Sequence, residues 1–137
     1  MIIGGLALSY WSLPRHTQDI DVLFLNKTDI PLHLDNFKRT RDHGFIHLQT
    51  HVEVEVLDAE CLKLKPELVD AIIKTAHDDN GIKVASKSGL VASKLSRFSR
   101  QDQADIENLI KLGGVDLSEF PLTPVQLSNF KKIKDDL

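Results

Sequence analysis

The chain has 137 residues, which corresponds to about one domain, and we expect a single domain over residues 1–137. Its 42% hydrophobic and 27% charged residues are typical of soluble globular proteins, and the net charge of −3 excludes a global positive field for long nucleic acids. No apolar run reaches the roughly 20 residues of a membrane span. The one cysteine, Cys61, has no disulfide partner within the chain, which fits a reducing compartment. We therefore expect a cytoplasmic protein without a membrane partner. The thiol of Cys61 is expected to be a small buried side chain.

The first residues predict a strand, a tight turn and a helix. Three apolar residues precede Gly4 and Gly5, and the apolar stretch from Leu6 to Trp11 has helical potential and is expected to end before Pro14. Glycine permits close approach of a ligand to the backbone, and the start of a helix presents N–H groups that bind anions. This turn is therefore a candidate site for a phosphate group.

The stretch from Asp19 to Leu25 predicts a strand with two carboxylates on one face. Side chains alternate along a strand, so Asp19 and Asp21 point the same way, whereas Ile20 and Val22 are expected to point into the core. Two converging carboxylates repel each other unless a cation joins them, and oxygen ligands of this kind suit Mg²⁺ or Mn²⁺. An exposed strand face is the alternative interpretation of an isolated Asp-x-Asp pattern.

The middle of the chain predicts a short helix followed by two strands. Residues 32–42 carry apolar side chains with basic residues behind them, a pattern that predicts a helix ending near Gly44. Residues 45–49 and 52–57 predict an antiparallel pair of strands joined by a tight connection.

Two glutamates alternate with valines in the second of these strands. Glu53 and Glu55 share one face, so one of them can reach metals bound at Asp19 and Asp21 if the two strands are neighbours. The sequence leaves open which glutamate supplies the third carboxylate. A solvated face is an alternative for both, because antiparallel sheets often expose one side to water.

The next segment predicts a helix and a brief strand. Pro66 opens a helix with one apolar face, which stops before the turn signal Asp79-Asn80-Gly81. Residues 82–85 then predict a strand.

The C-terminal part predicts helices. Ser88 is expected to cap a long helical region that runs to Gly113-Gly114 and is interrupted near residues 99–101. Thr123 begins a capping-box pattern with proline at the first helical position, which predicts a last helix over about residues 123–137.

Taken together, these blocks resemble the minimal nucleotidyltransferase superfamily. The blocks are Gly-Gly-x-Ala from Gly4, Arg-x-Thr-x-Asp-Ile-Asp from Arg15, a strand ending in an acidic residue, Leu90-Val91-Ala92-Ser93-Lys94-Leu95, and Asp102-Gln103-Ala104-Asp105-Ile106. The first two are the more specific, because the glycine pair, Arg, Thr and paired Asp occur together. The resemblance covers residues 2–112 and is strongest to the branch that includes the AbiEii-type toxins of bacterial toxin–antitoxin systems.

This resemblance implies an α+β nucleotidyltransferase fold, with a short mixed β-sheet flanked by helices. It also implies a metal-dependent enzyme that transfers NMP from an NTP to an RNA, such as the 3′ end of tRNA, or to a protein hydroxyl, within a toxin–antitoxin system and beside a cognate partner. The implied site residues are Asp19, Asp21 and Glu55 for catalysis and for Mg²⁺ or Mn²⁺, and Gly4, Gly5, Arg15, Thr17, Lys94 and Asp102 for nucleotide binding.

Some features depart from the superfamily pattern or have simpler interpretations. A helix normally precedes the Gly-Gly strand, whereas Met1 lies within that strand, so either the fold is minimal at this edge or the natural start lies upstream. A homodimer would cover such an edge. Lys94 has the alternative of an exposed helix lysine, and Asp102 and Asp105 have the alternative of charging the first turn of a helix, where acids are favourable.

A non-catalytic protein is the rival function. In this interpretation a nucleotidyltransferase-like domain with a weakened metal site binds another protein, for example as an antitoxin. The absence of the additional domain common in toxin members favours it, whereas the paired aspartates and the third acid oppose it. Metal-dependent nucleotide binding distinguishes the two functions.

Overall fold

The computed structural model describes residues 1–12, 19–42 and 44–137, and it has the predicted α+β architecture, a mixed sheet flanked by helices. The strands are β1 (Ile2–Ile3), β2 (Asp19–Leu23), β3 (Phe37–Arg39), β4 (Phe45–His47), β5 (Glu53–Leu57), β6 (His77–Asp79) and β7 (Ile82–Val84). The helices are α1 (Gly4–Trp11), α2 (Ala59–Leu62), α3 (Pro66–Lys74), α4 (Lys87–Arg97), α5 (Arg100–Leu112) and α6 (Pro124–Asp135), and a 3₁₀ turn covers Lys27–Asp29.

The sheet places β2 at its centre. The strand order is β3-β4-β5-β2-β1-β7-β6, with β2 antiparallel to β1 and parallel to β5. Strands β4 and β5 form the predicted antiparallel pair, and β6 and β7 form a hairpin at the opposite edge. Consequently the aspartate strand and the glutamate strand are direct neighbours.

The core lies between the sheet and helices α1, α3, α4 and α5. Ile3 and Leu23 are buried in it, and strand alternation places both on the face of the sheet that carries Asp21. Ile20 and Val22 are only half-buried and lie on the other face, so the prediction that they point into the core is wrong. The reason is that the helices pack on the same side as the carboxylates, which the alternation of β2 alone does not specify.

The corner between α4 and α5 follows from helix-capping chemistry. Phe98 ends α4 in a left-handed conformation (φ 52°), and Ser99 opens α5 with a complete capping box, which confirms the predicted interruption. Helix α4 is capped by Ser86, whose Oγ accepts from the Gly89 N–H at 3.0 Å, and the prediction that Ser88 is the cap is wrong. The Oγ of Ser88 accepts instead from the Asp116 N–H. The capping box at Thr123 is complete in α6, as predicted.

The predicted helix over residues 32–42 is not formed, and this stretch contains the edge strand β3 instead. Asn36 has a positive φ of 67°, which breaks a helix, and the ring of Phe37 packs edge-on against Phe45 and His47 across the sheet. These contacts come from β4, so local periodicity did not reveal them.

Cys61 is another correction. The thiol was expected to be buried, but it is exposed on the short helix α2, which the sequence analysis did not identify.

Candidate functional site

Strands β2 and β5 bring together the two carboxylates at the centre of the site. Asp21 lies opposite Glu55 in the parallel register, and a hydrogen bond between their side chains is one cause of the raised pKa of Asp21. Two carboxyl groups make such a contact only when they share a proton or a cation. Asp19 lies opposite Glu53 two residues earlier, and its charge acts on Asp21 from there.

The electrostatics of Asp21 reflect this crowding. Burial, the hydrogen bond to Glu55 and the charges of Glu55 and Asp19 raise the pKa of Asp21 to about 7, although the Lys94 ammonium partly opposes them. A carboxyl group with a pKa near neutral pH can exchange its proton for a cation, and its ionised form can accept a proton from a substrate.

Gly4 forms the wall of the site next to Asp21. Its φ is +70°, and a Cβ at this position would lie 2.1 Å from the Asp21 Oδ2 atom, so only glycine fits. Helix α1 starts here, with Gly4 and Gly5 as its first residues, and its N-cap residue Ile3 makes no capping hydrogen bond through its side chain. The first N–H groups of a helix lack partners within it, so this turn can donate hydrogen bonds to an anion.

A cavity of about 620 Å³ opens beside these groups, a volume within the range of small-molecule sites. Its polar lining includes Gly4, Asp21, Glu55, Lys63, Lys94, Arg97 and Asp102, and its apolar lining includes Ile3, Leu57, Leu62, Leu64 and Leu90. Gly5 and Asp19 are not among the described residues that line it. Carboxylates and cations therefore share one cavity with an apolar floor.

Lys94 projects from α4 and is held by α5. Its ammonium donates to the Asp105 Oδ2 atom at 2.8 Å and lies 3.5 Å from the Asp102 Oδ1 atom, and only 11% of the side chain is exposed. The simpler interpretation of an exposed helix lysine is therefore wrong. Because its charge also acts on Asp21, Lys94 links the carboxylates of the sheet to those of α5.

Asp102 is almost completely buried, with 1% of its side chain exposed. Arg97 donates two hydrogen bonds to it, at 2.7 and 2.8 Å, and the backbone N–H and hydroxyl of Ser99 donate two more. Burial alone would raise the pKa of Asp102, but these hydrogen bonds and the nearby Lys94 hold it well below its usual range. Its carboxylate therefore positions Arg97 and Lys94, as well as closing the first turn of α5.

The donor set at Asp21 and Glu55 fits a divalent cation with oxygen ligands. Within the described ranges, no three His, Cys, Asp or Glu side chains are already arranged to hold a metal ion. A pair of carboxylates is nevertheless a common protein contribution to an Mg²⁺ site, since Mg²⁺ keeps several waters and takes further ligands from substrate phosphates.

The other predicted site residues have different placements. Arg15 and Thr17 lie outside the described residues, as does Pro14, which was expected to end α1. Both glutamates are exposed, but Glu55 pairs with Asp21 and lines the cavity, whereas Glu53 pairs with Asp19 and is not among the described lining residues, so the geometry favours Glu55 as the third carboxylate.

Sequence reasoning did not assign Lys63 and Arg97 to the nucleotide site, although both line the cavity. Arg97 follows Lys94 by three residues, so helical spacing could have placed it on the same face of α4. Lys63 ends α2, and the capping residue Asp58, whose side chain accepts from the Cys61 N–H, was the available signal for that helix.

None of the helices in the described parts of the chain is long and apolar enough to cross a lipid bilayer. No curated protein matches the sequence. Residues 1–122 match the family described as "Nucleotidyltransferase of unknown function (DUF6036)". Since this match spans most of the chain and includes every residue of the cavity, the protein belongs to this family of nucleotidyltransferases of unknown function.

Proposed function

We propose that the protein is a metal-dependent nucleotidyltransferase that transfers NMP from an NTP to a hydroxyl group of a macromolecule. The observation that carries this proposal is the pairing of Asp21 with Glu55 across β2 and β5, at the wall of a cavity that Lys94 also lines. Paired carboxylates beside a cation are what phosphoryl-transfer chemistry requires, because a metal and a positive side chain both offset charge on the phosphates.

Asp21 and Glu55 would hold Mg²⁺ or Mn²⁺, with Asp19 close enough to contribute its charge. When bound, such a metal neutralises phosphate charge and polarises the α-phosphate. The first turn of α1 would receive the phosphates, since Gly4 leaves room for close approach and the helix start supplies donors.

The reaction exchanges a phosphoanhydride bond of the NTP for a phosphodiester bond to the acceptor. The acceptor hydroxyl oxygen bonds to the α-phosphorus, the bond from that phosphorus to the bridging oxygen breaks, and pyrophosphate leaves. The hydroxyl proton passes to a carboxylate, either Asp21 or Glu55. Most of the rate would come from positioning and charge neutralisation.

The acceptor is a hydroxyl group of an RNA or of a protein. The 3′ end of tRNA and a protein hydroxyl both fit the chemistry, and the net charge of −3 means that RNA would have to bind through a local basic patch. The AbiEii-like branch, a toxin–antitoxin role with a cognate partner, a homodimer and a cytoplasmic location remain predictions from sequence.

One observation favours the rival, non-catalytic function. The ammonium of Lys94 is already engaged by Asp105 and Asp102, and Arg97 is engaged by Asp102, so two of the cavity's cations are largely compensated. A nucleotidyltransferase-like domain that binds a partner protein, such as a cognate toxin, would tolerate this arrangement.

Incubation of the purified chain with each α-labelled NTP, Mg²⁺ or Mn²⁺, and total tRNA or cell lysate tests the proposal. The controls are Asp21→Asn, which keeps the shape of the side chain, and Glu53→Gln, which removes a nearby exposed carboxylate. Label transferred by the wild type and by Glu53→Gln, but not by Asp21→Asn, is the expected result. No transfer together with no metal-dependent nucleotide binding would favour the rival.

A further inference from the structure

The turn that ends α2 fixes Lys63 at the edge of the cavity. Asp58 caps the start of this helix, and the Leu64 N–H donates to the Ala59 carbonyl at 2.9 Å to close its end. Between them Lys63 adopts a left-handed conformation with φ 54° and ψ 38°. Residues with a Cβ seldom adopt this conformation, and such strain is often found at functional sites.

The charges around the cavity distinguish Lys63 from the other cations. Lys94 is bound to Asp105 and Asp102, and Arg97 is bound to Asp102 through two hydrogen bonds. Lys63 is exposed, lines the same cavity and makes no ion pair within the residues that the structure describes. Its ammonium is therefore the least compensated positive charge in the described lining of the site.

We propose that Lys63 binds the polyphosphate group of the nucleotide, an inference that rests on the proposed function. A triphosphate brings three or more negative charges into a cavity where the carboxylates of Asp21 and Glu55 also lie. A metal held by that pair offsets part of this charge, and an uncommitted ammonium on the α2 turn supplies a charge-assisted contact that Lys94 and Arg97 supply less readily.

Lys63→Gly separates binding from folding. Glycine adopts the left-handed conformation without a steric cost, so this variant should unfold at or above the wild-type temperature. It lacks the ammonium, so its Kd for NTP in the presence of Mg²⁺ should rise at least about tenfold, a typical effect of losing a charged hydrogen bond. Lys63→Arg should retain most of the affinity.

Lys65→Gln is the matched control, because Lys65 is exposed two residues away and is not among the described cavity-lining residues. Calorimetric titrations of ATP, GTP, CTP and UTP with Mg²⁺ would give the affinities. Titrations of the corresponding monophosphates should show a much smaller effect of Lys63→Gly, because the proposed contact is to the polyphosphate.

Cys61 provides a second measurement of nucleotide binding without any added label site. It is the only cysteine in the sequence, and its exposed side chain lines the cavity beside Lys63. For each variant, the ratio of its alkylation rates with and without nucleotide reports occupancy of the cavity. Unchanged triphosphate affinity in Lys63→Gly, with binding abolished in Asp21→Asn, would overturn this inference and leave the proposed function intact. Failure of the wild type to bind any of the four triphosphates would overturn both.

Discussion

Gly4 and the carboxylate of Asp21 are packed so closely that no side chain fits between them. The first turn of α1 and the central strand β2 are therefore fixed relative to each other at the position where the cavity opens. Gly4 in the turn and Asp21 in the strand define one side of the site, so a substitution at either residue should displace the other.

Gly4→Ala should be more destabilising than an ordinary glycine replacement. The left-handed backbone should cost roughly 1–2 kcal/mol, and displacement of Asp21 should add to that cost. Gly81→Ala is the matched control, because Gly81 also has a positive φ (+86°) but has no atom within 4 Å of an added Cβ. Urea unfolding of both variants measures the difference, and equal losses of stability would show that Asp21 adjusts freely.

Asp21→Asn should stabilise the metal-free protein. Because the folded-state pKa of Asp21 is raised to about 7, the folded protein holds a proton that the unfolded chain releases near pH 4. Stability therefore falls as pH rises between these values, and the variant should gain a few degrees in Tm at pH 8 and little at pH 5. Thermal melts in EDTA, with Glu53→Gln as control, check this, and a lower Tm for Asp21→Asn at pH 8 would contradict it.

Asp102→Asn should destabilise the corner between α4 and α5 by about 2 kcal/mol, since a buried carboxylate that accepts several charged hydrogen bonds is lost. The pKa of Asp102 is lowered in the folded state, so its contribution is full above the unfolded pKa of about 4 and is lost as pH falls further. Urea unfolding at pH 7 and pH 3 should show a difference from wild type that shrinks in acid. Asp135→Asn, which removes an exposed carboxylate of α6, should change stability by less than about 0.5 kcal/mol at both pH values.

Lys94 and Asp105 should show stronger coupling than a surface ion pair. Their side chains are 11% and 3% exposed, whereas Lys111 and Glu107 form an exposed pair on α5 at a similar distance of 2.7 Å. A double-mutant cycle should give at least about 1 kcal/mol for the first pair and no more than about 0.5 kcal/mol for the second. Equal coupling energies would mean that water screens Lys94 as it screens a surface lysine.

The sequence predicted the features that depend on local chemistry. The alternation of acidic and apolar residues predicted β2 and β5, and the capping-box pattern at Thr123 predicted the start of α6. Two strands joined by a short connection usually pair in antiparallel fashion. The pairing of β4 with β5 was therefore also predicted correctly.

The features that the sequence did not predict depend on contacts between distant residues. The β3 strand forms because Phe37 meets Phe45 and His47, and no periodicity within residues 32–42 contains that information. Likewise, the side of the sheet that the helices cover decides that Leu23 is buried and Val22 is not. The parallel register that joins Asp21 to Glu55 also had to come from the structure.

At the corner between α4 and α5, Asp102 at once completes the capping box of α5 and anchors Arg97, with the ammonium of Lys94 close by. Substitutions that misplace these cations would therefore first appear as poor expression or low yield, before any assay of activity. In a mutational scan that measures protein level, Lys94, Arg97 and Asp102 would therefore be classified with the residues of the hydrophobic core. Soluble protein level and nucleotide binding should accordingly be measured for the same variants, because either readout alone would assign Asp102 a single role.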